Sequence, residues 1–158
     1  HKLEYALWED GKTKGYEEVA DKLLADTKEL RARVETVEVT PDMMINGAVD
    51  LLNEVSTSKI SGEEDIFSHT DLYDFKANIE GAEKIFEILE PKIKEKDAAL
   101  AENLTDKFKN VNDLLANYET KDGGYVSYTK LTDKDTKALA DAINQLGEPL
   151  SQMGTILE

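Results

Sequence analysis

The sequence has no cysteine, only three prolines and nine glycines, and a single tryptophan in 158 residues. Without cysteine there are no disulfides, thiolate zinc sites, iron–sulfur clusters or cysteine nucleophiles. No apolar run approaches the roughly 20 residues of a membrane-spanning helix, so we expect a chain that does not itself cross a membrane. Alternating strand patterns are nearly missing, and sparse proline and glycine leave long segments uninterrupted. These absences favour an all-α protein.

Basic residues are also scarce: 19 lysines and arginines stand against 34 acidic residues, which gives a net charge of −15. Such a surface repels phosphate backbones, so we expect no nucleic-acid partner. Cations are the natural partners of an acidic protein. Hydrophobic residues make up 40% of the chain, enough for a buried core at this length. We therefore expect one globular domain over residues 1–158.

Apolar residues recur at steps of three and four along most of the chain, which is the spacing of a helix with one buried face. The clearest seam follows Thr70 and comprises Leu72, Phe75, Ile79, Ala82, Phe86, Leu89 and Ile93. Further helices are predicted before Asp10, from Tyr16 to about Val37, from Thr40 to about Lys59, from Leu100 to Tyr118 and from about Asp133 onward. About five helices joined by short loops predict an up-and-down helical bundle.

Residues 1–4 pair a histidine with a glutamate three positions later, His1 and Glu4. Three residues advance about 300° around a helix, so both side chains lie on one face and can bind one metal ion. The simpler interpretation is a solvated pair at a helix end.

A second candidate site lies in the acidic segment 62–75, where the only other histidine occurs. Its candidate metal ligands are His69, Asp71, Asp74 and Glu64, since a metal-binding imidazole needs a carboxylate to orient it. Alternatively, the two aspartates stabilise a helix N-terminus and the loop acids are merely solvated. Nitrogen and oxygen ligands without thiolate suit ferrous or ferric iron, manganese, zinc or cupric copper.

Hydrolytic motifs are missing from the sequence. It contains no Ser/His/Asp arrangement, no HExxH helix and no glycine-rich phosphate loop. We therefore assign no catalytic residue.

Three segments carry a family resemblance, and one of them is residues 46–55, with NGA followed by LLNEV. Residues 58–82, with the pattern SKISGEED, SHTDL, DF and ANIEGA, resemble the signature of the imelysin-like domain of EfeO and EfeM iron-uptake lipoproteins. Residues 1–8 are similar to the His-x-x-Glu motif of that family. The resemblance covers essentially the whole chain. It implies an all-helical bundle outside the cytoplasmic membrane, in the periplasm or as a cell-surface lipoprotein.

The resemblance also implies a function. The family binds iron, ferrous or ferric, for delivery to a membrane permease, with zinc or copper as possible alternatives. By this resemblance, His1 and Glu4 are the metal ligands of the family's His-x-x-Glu motif. The four candidate ligands of segment 62–75 match the second signature of the family by position. We hypothesise that all six residues form one site. Because the family has helices before the His-x-x-Glu motif, we expect a bundle that lacks its N-terminal helices and exposes an apolar face.

Two other functions remain open at this point. Imelysin-like proteins are classified beside metallopeptidases, and a zinc peptidase would need an open coordination position and a general base such as Glu63 or Glu64. A non-catalytic surface adaptor or polysaccharide-binding module is the third possibility. Enzymatic activity is thus undecided, and the carboxylate-rich ligand set favours a transport component.

Overall fold

The computed structural model describes residues 1–157, most of which are helical. Six α-helices follow in order: α1 Lys2–Trp8, α2 Glu17–Val34, α3 Pro41–Thr57, α4 Asp71–Lys96, α5 Ala98–Ala116 and α6 Asp133–Leu157. Two short 3-10 turns occupy Lys59–Ser61 and Tyr128–Lys130. Residues 1–157 contain no β-strand, only an isolated bridge between Glu119 and Tyr125. The all-α prediction is confirmed.

The chain divides into two compact units. Unit 1 contains His1–Val39 together with the short segment Asp65–Ser68. Unit 2 contains Thr40–Glu64 and the chain from His69 onward. No helix within residues 1–157 has both the length and the apolar composition needed to cross a bilayer. The single domain over residues 1–158 stays a prediction.

Two helix starts in unit 2 follow from capping residues. Thr40 precedes α3, where its side-chain oxygen accepts a hydrogen bond from the backbone N–H of Met43 at 3.3 Å, and Pro41 takes the first helical position. Asp97 alone separates α4 from α5, and its carboxylate accepts from the N–H of Leu100 at 2.9 Å. Local sequence therefore defines both boundaries.

Unit 2 is an up-and-down four-helix bundle. Helices α3, α4, α5 and α6 each pack on the next, and α6 packs back on α3. Near the start of α4, the Lys76 ammonium donates to Asn112 Oδ1 near the end of α5 at 2.9 Å, so these helices are antiparallel. At the end of α4, Lys96 donates to the carbonyl of Ile156 in the last turn of α6 at 2.6 Å. Alternate helices thus run parallel, as the topology requires.

The core of unit 2 lies along the seam that the sequence predicted. All seven seam residues of α4 are buried. They pack against buried side chains of α3, α5 and α6, and the Phe86 ring stacks on Phe108 with centroids 5.6 Å apart. The helical period therefore identified the core face correctly.

In unit 1, the helical spacing of apolar residues in α2 does not mark a buried face. No residue of α2 is buried. Leu23, Leu24, Leu30 and Val34 are each more than half exposed, although they have helical spacing. An exposed apolar face therefore lies on α2, and the expectation of a bundle that lacks its N-terminal helices stays a prediction.

Candidate metal centre

The His-x-x-Glu pair lies at the start of α1, in unit 1. His1 is the residue before the helix, and Glu4 belongs to its first turn. The Nδ1 atom of His1 is 3.1 Å from Oε2 of Glu4. The histidine side chain is 60% exposed and the glutamate side chain 13%. The two side chains share one face, as the spacing predicts, with one imidazole nitrogen and one carboxylate oxygen facing each other. Metal binding by this pair stays a prediction.

The segment Asp65–Ser68 fixes the other oxygen of Glu4. Oε1 accepts hydrogen bonds from the backbone N–H of Phe67 at 3.0 Å, from that of Ser68 at 2.9 Å and from the Ser68 hydroxyl at 2.8 Å. The rings of Tyr5 and Phe67 meet edge to face at 5.0 Å. Hydrogen bonds to an ionised acceptor are short and strong, so this carboxylate has a defined orientation.

The same contacts determine the protonation of Glu4. Burial raises the pKa of this carboxyl, but the hydrogen bonds from the backbone and hydroxyl of Ser68 and from the backbone of Phe67 outweigh burial and lower the pKa below its ordinary value. Glu4 is therefore a carboxylate at neutral pH. A metal ion would not have to displace a proton from it.

In unit 2, Lys59 interacts with two of the predicted ligands, Glu64 and Asp74. Lys59 Nζ lies 2.8 Å from Oε2 of Glu64. The pKa of Lys59 is raised, first by this hydrogen bond and then by the charges of Glu64, Glu54 and Asp74, although burial opposes the shift. An ammonium group thus balances the carboxylates that the sequence predicted as metal ligands. The sequence analysis placed Lys59 at a helix end and did not consider it as a partner of these carboxylates, for which the only signal was its position just before the acidic loop.

His69 and Asp71 lie on either side of the start of α4, close to Tyr128. His69 has φ of 55°, in the left-handed region, and its carbonyl accepts from the N–H of Tyr128 at 2.9 Å. The Tyr128 hydroxyl donates to the carbonyl of Ile60 at 2.6 Å. Burial and the charge of Asp71, which is 1% exposed, raise the pKa of Tyr128 to about 12.

His69 also lines an open pocket of about 410 Å³ in unit 2, together with Tyr128 and the first residues of α6. Gly62 borders this pocket with φ of +77°, and a Cβ there would lie 2.6 Å from the Tyr128 ring. Glycine is therefore required at this position for both conformation and space. Sequence reasoning missed Tyr128, whose role depends on contacts distant in the chain.

The predicted ligands divide between the two units. His1 and Glu4 belong to unit 1, and the other four belong to unit 2. Throughout residues 1–157, no three histidine, cysteine, aspartate or glutamate side chains are grouped so that they could hold one metal ion. The six-residue metal site stays a prediction.

Comparison with known proteins gives the family of this chain. The family model for imelysin, peptidase family M75, matches residues 1–153. The chain belongs to the imelysin family. This imelysin-family sequence is 54% identical over 159 residues to a protein named "Efem/EfeO family lipoprotein" from Staphylococcus aureus strain MSSA476. Proteins of the same name from strains NCTC 8325 and USA300 are 53% and 52% identical.

Each of these alignments includes 100% of this imelysin-family chain and 56% of the relative. The chain thus spans about half the length of the curated relatives it matches. The recognition of the imelysin-like domain from residues 1–8 and 58–82 is confirmed.

Proposed function

We propose that this chain is a metal-binding component of an Efe-type iron-uptake system that presents ferrous or ferric iron to a membrane permease. The observation that carries the proposal is the Glu4 carboxylate, which is held by Asp65–Ser68 through one oxygen and faces His1 through the other. The names of the relatives support a lipoprotein of an Efe system. They favour a location outside the cytoplasmic membrane, in the periplasm or at the cell surface.

The geometry of the pair suits a transition-metal ion. Two ligands about 2.1 Å from an ion and at right angles to each other lie about 3.0 Å apart. The observed separation of Nδ1 and Oε2 is 3.1 Å, so both atoms can bind one ion with little movement. An imidazole and a carboxylate suit iron, and also manganese, zinc and copper. With only two side chains bound, water would occupy the other positions and the ion could leave, as delivery requires.

The charge of the chain supports the same function. A net charge of −15 attracts cations and raises their local concentration near the surface. Salt screens this attraction beyond about 8 Å at physiological ionic strength. The contribution of the overall charge to metal capture should therefore decrease as salt is added, whereas the direct ligands should be less affected.

We also propose that the acidic group of unit 2, comprising His69, Asp71, Asp74 and Glu64, takes part in metal binding once its side chains move together, since no three of them are grouped around one ion as they stand. Here the Lys59 ammonium would have to leave Glu64 before an ion could bind. Binding by this group should therefore be weaker than binding by the pair on α1.

Calorimetric titration with ferrous, ferric, zinc and cupric ions tests the proposal. The α-amino group of His1 must be blocked, because an amine beside an imidazole chelates metal on its own. We expect His1→Ala and Glu4→Gln to lower iron affinity by about 10-fold or more. Glu9→Gln, a change of the same chemistry at the exposed end of α1, is the matched control.

The outcomes separate the possible functions. Unchanged iron affinity in both His1→Ala and Glu4→Gln would contradict the proposal. A loss in His69→Ala would show that unit 2 takes part in binding. Chelator-sensitive proteolysis by the purified protein would favour the peptidase alternative, because a zinc peptidase must activate a bound water.

A further inference from the structure

We infer that Ser68 is a positioning residue for the metal ligand Glu4, since together with the backbone of Phe67 it occupies Oε1 and leaves Oε2 as the single ligating oxygen. This inference rests on the proposed function and deepens it. It concerns the Ser68 hydroxyl, which lies in the SHTDL part of the second signature and outside the His-x-x-Glu motif.

Three donors converge on one oxygen of Glu4. The two backbone N–H groups and the Ser68 hydroxyl lie 2.8 to 3.0 Å from Oε1. An ionised carboxylate offers about four acceptor sites over its two oxygens, so three donors saturate Oε1. A metal ion that bound Oε1 would have to break these contacts. Binding at Oε2 keeps all three.

The position of Ser68 suits this role. Its hydroxyl is partly buried and reaches Glu4 from 64 positions away in the chain. The rings of Tyr5 and Phe67 are in edge-to-face contact, and this contact holds Phe67, the residue before Ser68, against α1. The Ser68 hydroxyl therefore belongs to a segment that also packs on α1 through Phe67. Hydrogen bonds of this kind orient ligands, and their loss commonly lowers metal affinity by about 10-fold to 100-fold.

Zinc titration of serine variants tests the inference. We expect Ser68→Ala to bind Zn²⁺ about 10-fold more weakly than the unmodified protein. Ser68→Thr restores the hydroxyl and should bind within about three-fold, a recovery that a purely structural role for the small side chain would not give. Ser151→Ala is the matched control, because that exposed hydroxyl donates only to the carbonyl of Glu148 in its own helix.

Hydrogen exchange supplies a measurement that does not depend on a variant. In the unmodified protein, the amide protons of Phe67 and Ser68 should stay protected when Zn²⁺ is added, because the ion binds Oε2. Faster exchange of both amides on Zn²⁺ addition would show that the metal takes Oε1 and would overturn the inference. Equal Zn²⁺ affinity in Ser68→Ala, or an equal loss in Ser68→Thr, would overturn it as well.

Failure of this inference is distinguishable from failure of the proposed function. If Glu4→Gln weakens metal binding and Ser68→Ala does not, only the positioning role of Ser68 is contradicted. If Glu4→Gln leaves metal binding unchanged, both the proposed site and this inference are contradicted.

Discussion

Tyr128 connects its own segment to two others in unit 2, residues 60–62 and His69. Its hydroxyl donates to Ile60, its N–H donates to His69, and its ring lies against Gly62. The residue is largely buried and lies near the charge of Asp71, and both conditions disfavour a phenolate. Packing and polar contacts in this region therefore depend on a neutral tyrosine.

Alkaline pH should weaken unit 2 through Tyr128. Its pKa is raised from the ordinary 10.0 to about 12, so the folded state favours the neutral phenol. The resulting stabilisation is complete below pH 10.0 and is lost as the pH rises toward about 12. We expect the free energy of unfolding to fall over this range in the unmodified protein and to fall less in Tyr128→Phe, as measured by urea denaturation.

Phenolate absorbance gives the control. The difference between the titration curves of the unmodified protein and Tyr128→Phe isolates one hydroxyl, and its midpoint should lie near pH 12. Tyr16→Phe tests whether any tyrosine replacement gives the same difference. A midpoint near pH 10 for Tyr128 would contradict the burial argument.

At the scale of the helix, α4 shows how one surface is selected for burial. Isoleucines occur on both its faces: Ile79 is fully buried, whereas Ile88 is 57% exposed. Ile79 belongs to the apolar seam, and Ile88 falls outside it. The position of a side chain relative to the helical period, and not its residue type, therefore decides its contribution to the core.

This contrast gives a matched pair of substitutions in one helix. Ile79→Ala should lower the free energy of unfolding by about 2–5 kcal/mol, because it removes buried contacts and leaves a cavity. Ile88→Ala should change it by no more than about 0.5 kcal/mol. Urea denaturation followed by circular dichroism measures both. Similar losses in the two variants would show that the α4 seam is not the core of unit 2.

At the scale of the whole chain, strong negative charge coexists with an exposed apolar surface. The net charge of −15 makes copies of the chain repel one another. The apolar surface lies on α2, where Leu23, Leu30 and Val34 share one helical face and are each more than half exposed. Clustered exposed side chains of this kind are unusual on a soluble monomer.

The α2 face should bind a dye that reports apolar surface. We expect the fluorescence of ANS to rise on addition of the folded protein at neutral pH, and the double variant Leu23→Gln with Leu30→Gln to lose most of this signal. Glu29→Gln, on the same helix, should retain it. An unchanged signal in the leucine variant would place the dye elsewhere on the protein.

Sequence predicted those features that depend on neighbours along the chain. The α4 seam and the one-face pairing of His1 with Glu4 follow from helical geometry, so both could be derived from spacing. Ser68 reaches Glu4 across 64 positions, and no local pattern marks such a contact. Lys59 among the predicted acidic ligands likewise required the folded chain, because its partners come from several elements.

The single-residue connection between α4 and α5 bears on how the chain folds. Asp97 donates its N–H to Ile93 in α4 and accepts from Leu100 in α5, so one residue ends the first helix and starts the second. Closing so short a loop costs little chain entropy compared with bringing together α3 and α6, which are far apart in sequence. Contacts between near neighbours form fastest. The α4–α5 hairpin should therefore nucleate the bundle and offer α3 and α6 a surface on which to assemble.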